Sequence, residues 1–169
     1  MTSLELTRDS PGHYVLGDLG SLQTERRFGA LIEAGGENWR LRRKLLGFGQ
    51  AITAVNAADG SLVASYVPRG FLRLRGIYGG ELRLPQRALD WRANHQLGRI
   101  FTVSEAGETL ATLEALAEPT PVRLEAAGAG NLPPLLLLFC CHIAKQAVDT
   151  ARVGAAVGAG TAAIGGTAA

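Results

Sequence analysis

Residues 132–147 read Leu-Pro-Pro-Leu-Leu-Leu-Leu-Phe-Cys-Cys-His-Ile-Ala-Lys-Gln-Ala, the one long apolar run in a chain that otherwise alternates. From Leu135 to Ile143 every side chain except that of His142 is apolar. A helix built from this run would be apolar on all faces, so protein or lipid must enclose it. Pro133 and Pro134 suit its first turn, where a missing N–H is tolerated.

The length of this predicted helix distinguishes burial in protein from burial in a lipid bilayer. Counted from 133 to 147, it would be roughly 22 Å long at about 1.5 Å per residue. Its strictly apolar part is well short of the ~20 residues that cross a bilayer. The sequence therefore favours a buried core helix over a membrane span. The predicted core side chains of the helix are Leu135, Leu136, Leu137, Leu138, Phe139 and Ile143.

The chain before this run has the two-residue period of β-structure. Residues 39–45 read Trp-Arg-Leu-Arg-Arg-Lys-Leu, in which every second side chain shares one face of a strand. Turn signals such as Asp59-Gly60 and Ala106-Gly107 separate about eleven short strands at a spacing of roughly 8–12 residues. This regularity indicates an all-β barrel or sandwich and not a parallel α/β fold.

Composition divides the chain into three parts. Residues 1–11 are polar, and we expect them to be flexible. Residues 12–149 form the predicted barrel domain, with its core helix at about 133–147. Residues 150–169 are rich in Ala and Gly, and we expect a flexible tail. The tail also contains Gly154-x-x-x-Gly158, a spacing that allows close helix contacts in membranes.

Charge is distributed unevenly along the sequence. Residues 40–99 hold eleven basic and three acidic side chains, a local net charge of +8, whereas the flanks together carry −6. The excess indicates an anionic partner for the middle of the chain, or else a solvated sheet face that uses arginine. The predicted phosphate- or lipid-binding residues lie on the outward faces of two strands. They are Arg40, Arg42, Lys44, Arg73 and Arg75.

The sequence contains none of the short catalytic motifs that would indicate an enzyme. It has no Gly-x-x-x-x-Gly-Lys-Ser/Thr phosphate loop and no Gly-x-Ser-x-Gly elbow. Cys140, Cys141 and His142 are consecutive, so on a helix they point roughly 100° apart and make a poor metal-ligand set. We therefore expect no metal, no cofactor and no dedicated enzymatic activity.

Cysteine content and the first residues of the chain bear on its compartment. The two adjacent cysteines cannot build a disulfide framework, and the first ten residues lack a basic region followed by an apolar one. We expect a reducing, cytoplasmic location, with peripheral attachment to a membrane as a further expectation.

These features together resemble the tubby C-terminal-like superfamily, which includes tubby domains, phospholipid scramblases and the plant LURP-one-related proteins. The resemblance covers about residues 12–147. It rests on the run of strands, on the helix from Pro134, on Asp59-Gly-Ser-Leu-Val-Ala-Ser and on Gly98-Arg-Ile-Phe. It implies a mainly β fold, a closed antiparallel barrel of about 11–12 strands around one central hydrophobic C-terminal helix.

The resemblance also implies an association with membranes. Tubby domains bind phosphoinositide head groups through basic side chains, and scramblases associate with phospholipid. This chain has no matching calcium loop and no multi-cysteine acylation cluster, so no binding residue is carried over by position.

The expected function is a non-catalytic module that binds anionic phospholipid or a membrane surface. The alternatives are a protein-interaction or scaffold domain, a nucleic-acid binder and an enzyme of unknown class. A nucleic-acid groove would add exposed aromatic side chains for stacking. Alternation places Trp39 opposite the arginines, which favours lipid over nucleic acid.

Overall fold

The computed structural model describes residues 2–25, 29–46, 49–69, 79–93, 99–126 and 132–162. Within them, side chains are described for 3–25, 29–43, 51–69, 79–93, 99–126 and 132–149. The described residues form twelve strands and one helix. These are β1 Thr2–Ser10, β2 His13–Leu16, β3 Gly20–Glu25, β4 Gly29–Ala34, β5 Glu37–Leu46, β6 Gly49–Asn56, β7 Leu62–Pro68, β8 Gly79–Leu84, β9 Arg87–Ala93, β10 Ile100–Glu105, β11 Glu108–Ala115, β12 Val122–Ala126 and α1 Pro134–Ala162.

The strands form one closed antiparallel barrel, as the resemblance implied, whereas the strand spacing alone had left a barrel or a sandwich open. Each strand pairs with its neighbours along the chain, and β1 closes the barrel by pairing with both β2 and β12. Short turns join most neighbours, and five of them use glycine with positive φ, at Gly12, Gly17, Gly35-Gly36, Gly60 and Gly107. The uniform hairpin order explains the regular spacing of turn signals in the sequence.

The N-terminal residues correct the expectation that 1–11 are flexible. Residues Thr2–Ser10 form β1, in register with β12 from Thr2 opposite Ala126 to Leu6 opposite Val122. Leu6 is fully buried. Polarity alone did not indicate a strand here, because a mostly polar strand is held by backbone hydrogen bonds, which β1 makes both to β2 and to β12 at the far end of the barrel domain.

Helix α1 lies inside the barrel with its apolar segment enclosed on every face. All ten residues from Leu135 to Ala144 are buried, including all six predicted core side chains. The helix runs closest to β3, β4, β5, β11 and β12. The opposite wall is filled by a ring cluster of Tyr66, Trp91 and Phe101, in which the last two stack at 5.3 Å.

The helix also corrects the expectation of a flexible tail from residue 150. It continues to Ala162, beyond the predicted end near 147. Alanine has the highest helix propensity, so the alanines of this segment sustain a helix across the less favourable Gly154, Gly158 and Gly160. Within the described ranges, no helix has both the length and the apolar character required to cross a membrane.

The helix gives the barrel a direction. Leu138, near its start, lies beside Gly20, and Gln146, near the other end, contacts Arg43. We call the end with the turns after β2, β4, β6, β8 and β10 the helix-start rim. The other end, where α1 leaves the barrel past the turn between β1 and β2, is the helix-exit rim.

Candidate functional site

The predicted basic row is only partly described. Arg40 and Arg42 are exposed on the outer face of β5, about 7 Å apart along the strand. The Lys44 side chain lies outside the described residues, although its backbone pairs with Ala51. Arg73 and Arg75, together with the strand predicted for residues 71–75, also lie outside them.

Arg40 lies near the exposed carboxylate of Glu25, at the end of β3. Arg40 Nε lies 3.9 Å from Glu25 Oε1, and both side chains are more than 40% exposed. Exposed ion pairs at this distance contribute little to stability. Arg40 and Arg42 therefore remain exposed cations on the outer face of β5.

Another part of the basic middle is neutralised on the wall formed by β7 to β9. Arg69 contacts Glu81 at 2.7 Å and Asp90 at 2.9 Å, and Arg83 lies 3.4 Å from Glu81. The hydrogen bond from Arg69 lowers the pKa of Glu81. Two of the three acids of residues 40–99 are used here, and they neutralise Arg69 and Arg83 on this wall.

A polar cluster inside the helix-exit rim was not found by sequence reasoning. Arg43 is on the inner face of β5, where its Nε donates to Gln146 Oε1 at 2.9 Å. Gln146 Nε2 is in turn in a short contact with His142 Nε2. Two signals could have indicated the cluster: a charged residue at an inward position of an alternating strand, and polar residues directly after an apolar helix.

This chain of contacts assigns the histidine tautomer. A guanidinium can only donate, so the Gln146 atom facing Arg43 is the carbonyl oxygen, and its amide nitrogen donates to His142 Nε2. The proton of the neutral imidazole therefore lies on Nδ1. That atom is buried and has no hydrogen-bond partner among the described residues.

Burial sets the charges of the cluster. Desolvation lowers the pKa of His142 to about 3, and the charges of Arg43 and Lys145 act in the same direction. His142 is consequently neutral at pH 7. Desolvation also lowers the pKa of Arg43, although Asp149 opposes this effect.

Lys145 connects the helix to the rim. Its Nζ lies 2.7 Å from Asp149 Oδ2 and 5.2 Å from the centre of the Tyr14 ring, and Tyr14 donates to Glu118 Oε1 at 2.9 Å. Burial by itself would lower the pKa of Lys145, but the Asp149 hydrogen bond and nearby negative charges raise it. Lys145 therefore remains an ammonium ion in a largely buried position.

A cavity of about 350 Å³ opens at this cluster. Its walls come from the end of β3, the start of β4, the inner face of β5 and the last enclosed turn of α1. The lining residues are Thr24, Glu25, Gly29, Arg43, His142, Lys145, Gln146 and Asp149. The side chains of Lys145 and His142 form the buried part, and the half-exposed Glu25 and Asp149 are at the mouth.

The cysteines take no part in this site. Cys140 and Cys141 are free and buried, and desolvation raises the pKa of both thiols, for Cys141 to about 12. Both thiols therefore stay protonated near neutral pH. Across the described part of the chain, no group of three or more His, Cys, Asp and Glu side chains could hold a metal ion.

The described turns of the helix-start rim are mostly acidic. Its turns carry one basic side chain, Arg87, which lies 3.0 Å from Glu105. The acidic residues at or beside these described turns are Asp18, Glu37, Asp59, Glu105 and Glu108.

The chain matches no protein-family model, no curated protein and no solved structure.

Proposed function

We propose that this protein is a non-catalytic module that binds anionic phospholipid at a membrane surface through the helix-exit rim. The observation that carries the proposal is the exposed pair Arg40 and Arg42 on β5, beside a rim that also holds Arg43 and Lys145. Guanidinium groups bind phosphate through paired, charge-assisted hydrogen bonds. We place the protein in the cytoplasm, peripherally attached to the membrane.

The charge separation between the rims supports this orientation. Acidic residues dominate the turns of the helix-start rim, so an anionic surface would repel that end. A basic residue close to an anionic bilayer contributes about 1 kcal/mol. Arg40 and Arg42 together would thus change affinity by roughly 30-fold.

Arg73 and Arg75 stay predicted members of this surface. Strand β7 ends at Pro68, and β8 begins at Gly79, both at the helix-exit rim. Lys44 follows Arg42 along β5 towards the same rim.

Membership of the tubby C-terminal-like superfamily is part of the proposal. A closed twelve-strand barrel around a C-terminal hydrophobic helix is the architecture that the resemblance implies. It supports a lipid-binding role.

Vesicle sedimentation tests the function. At low salt the protein should sediment with vesicles containing phosphatidylserine and stay in solution with purely phosphatidylcholine vesicles. Arg40→Gln combined with Arg42→Gln should weaken binding by roughly 30-fold, since two surface cations are lost. A protein that ignores anionic vesicles would refute the proposal.

A matched double variant controls for net charge. Arg87→Gln combined with Arg123→Gln removes the same two charges from the barrel wall away from β5, where both arginines already contact glutamates. This variant should bind vesicles within about threefold of the native protein, because its changes lie away from the proposed contact. Equal weakening in both variants would indicate a net-charge effect and no specific face.

A protein-interaction or scaffold role is the second candidate, and the length of α1 favours it. Residues 150–162 extend the helix by about 20 Å past its enclosed part. A partner that docks on this extension would be lost on deletion of 151–169 and would survive high salt. Vesicle binding through Arg40 and Arg42 would survive the deletion and would fall at high salt.

A further inference from the structure

We propose that the cavity at the helix-exit rim binds a free α-amino acid as its zwitterion, with the carboxylate of the ligand inside and its ammonium group at the mouth. This proposal does not depend on the membrane contact, because the ligand is a small soluble molecule and neither Arg40 nor Arg42 lines the cavity. It rests on how the charges of the lining are arranged and on one buried donor that lacks an acceptor.

The charges that line the cavity cancel. Arg43 and Lys145 are cations, Glu25 and Asp149 are carboxylates, and His142 is neutral at pH 7. An anionic or cationic ligand would therefore leave a net charge in a partly enclosed space, which is unfavourable where water is scarce. A zwitterion brings one charge of each sign and keeps the total at zero.

The four charges are separated by depth. The Lys145 side chain is only 13% exposed, and Arg43 is bonded to the buried Gln146, so the cations lie towards the inside. The side chains of Glu25 and Asp149 are 42% and 51% exposed, at the mouth. The complementary ligand has its negative end inside and its positive end outside. An α-amino acid carries these two charges on neighbouring groups near pH 7.

A buried donor in the cavity wall needs an acceptor. His142 lines the cavity and is 3% exposed, and its Nε2 accepts from Gln146, which leaves the proton on Nδ1. That N–H has no hydrogen-bond partner among the described residues. A buried donor without a partner is costly, and an oxygen of the ligand carboxylate would supply the acceptor.

The ligand does not have to break the contact between Lys145 and Asp149. A carboxylate has about four acceptor positions, so Asp149 can keep its 2.7 Å contact with Lys145 Nζ and also accept from the ligand ammonium. The described contact of Glu25 is with Arg40 at 3.9 Å, which is beyond hydrogen-bond distance. Glu25 can therefore also accept from the ammonium group.

The size of the cavity suits an amino acid. Its volume of about 350 Å³ is at the lower end of the ~300–1,000 Å³ range of small-molecule pockets. Gly29 keeps space beside the mouth, because a Cβ at this position would lie 3.2 Å from Glu25 Oε2. The bond from Arg43 Nε to Gln146 also fixes the guanidinium before a ligand arrives, which reduces the entropy lost on binding.

Thermal unfolding of the full-length protein with each common L-amino acid in turn identifies the ligand. We expect at least one of them to raise the melting temperature, because a ligand that binds only the folded protein stabilises it. Calorimetry then gives the affinity of the best one, and the ¹⁵N signals of the Gln146 side-chain amide and the His142 imidazole should shift on binding. If no amino acid stabilises the protein, or if neither signal shifts, the proposal is overturned.

Two derivatives of the best amino acid test the need for both charges. The amide of its carboxyl group keeps only the positive charge, and its N-acetyl form keeps only the negative charge. Each should bind about tenfold more weakly or worse, since a charge-assisted hydrogen bond is lost at one end. An N-acetyl form that binds as tightly as the free amino acid would indicate a simple anion site and contradict the zwitterion.

A matched pair of variants tests the position of the ammonium group. Glu25→Gln should weaken binding of the amino acid about tenfold, because a carboxylate at the mouth is lost. Glu114→Gln is the control: Glu114 is 45% exposed, lies 3.4 Å from Arg123 and does not line the cavity. It should leave the affinity unchanged. Both carboxylates are half-exposed, so neither change threatens folding. Unchanged affinity in Glu25→Gln would overturn the proposed orientation of the ligand.

Discussion

The two rims of the barrel differ in how they are built. At the helix-start rim, tight turns close each hairpin, and the charged side chains at those turns are mostly acidic. At the helix-exit rim, residues distant in the chain meet, as Arg43 does with Gln146 and Tyr14 with Glu118. The first rim depends on local turn chemistry, and the second depends on closure of the barrel around α1. Binding chemistry is therefore expected where distant residues converge.

The enclosed helix is the element on which both rims depend, and Leu136→Asp should have the largest effect. Leu136 is fully buried. An unpaired carboxylate there would cost several kcal/mol, comparable with the whole stability of about 5–15 kcal/mol. We expect no cooperative thermal unfolding. Leu62→Asp is the matched control, because Leu62 is 60% exposed and should tolerate the change. A cooperatively melting Leu136→Asp protein would contradict an enclosed helix.

Close packing at the helix-start rim predicts the second-largest loss of stability, for substitution of Gly20. A Cβ at this position would collide with the Glu33 carbonyl oxygen and lie 2.9 Å from Leu138 Cδ1. Gly20→Ala should lower the free energy of unfolding by about 3 kcal/mol. Gly35→Ala, at φ +60 with no atom within 4 Å, should lower it by only about 1 kcal/mol. Denaturant unfolding compares the two, and equal losses would contradict the close packing of Gly20 against β4 and α1.

The buried cluster at the helix-exit rim predicts a pH dependence. His142 has a pKa of about 3 when folded and 6.5 as its ordinary value. Between these values the unfolded chain binds a proton that the folded chain does not, so stability falls as the pH falls. From pH 7 to pH 5 the loss should be about 2 kcal/mol.

A histidine replacement provides the control for that measurement. His142→Gln removes the titrating group and should flatten the dependence of unfolding free energy on pH over this range. Asp59 and Glu81 also have lowered pKa values, but their ordinary values of 3.8 and 4.5 lie below the range. An unchanged slope in His142→Gln would show that His142 is not buried in its neutral form.

Sequence reasoning succeeded where the physical signal is local. The apolar run at Leu135–Ile143 must be buried whatever surrounds it, and the structure buries it. Alternation in β5 correctly placed Trp39 and Leu41 inside the barrel and Arg40 and Arg42 outside it. It failed at the N-terminus, because β1 is mostly polar and is held in place by pairing with both β2 and β12. It also placed the end of the helix too early.

The candidate site was predicted only on its outer face. Arg40 and Arg42 follow from alternation, but the pairing of Arg43 with Gln146 joins residues 103 positions apart, and no periodicity encodes that contact. The neutralisation of Arg69 by Glu81 and Asp90 likewise depends on the register of three strands.

The amino-acid sequence alone determined that the hydrophobic helix must be buried and that strands of alternating polarity surround it. Hydrophobic periodicity can be read from the sequence because it depends only on residues that are close together in the chain. Closure of the barrel decided which charges meet, which are neutralised and where a cavity remains. Those properties depend on distances across the barrel, and such distances exist only once β1 has joined β12 and the helix has filled the interior.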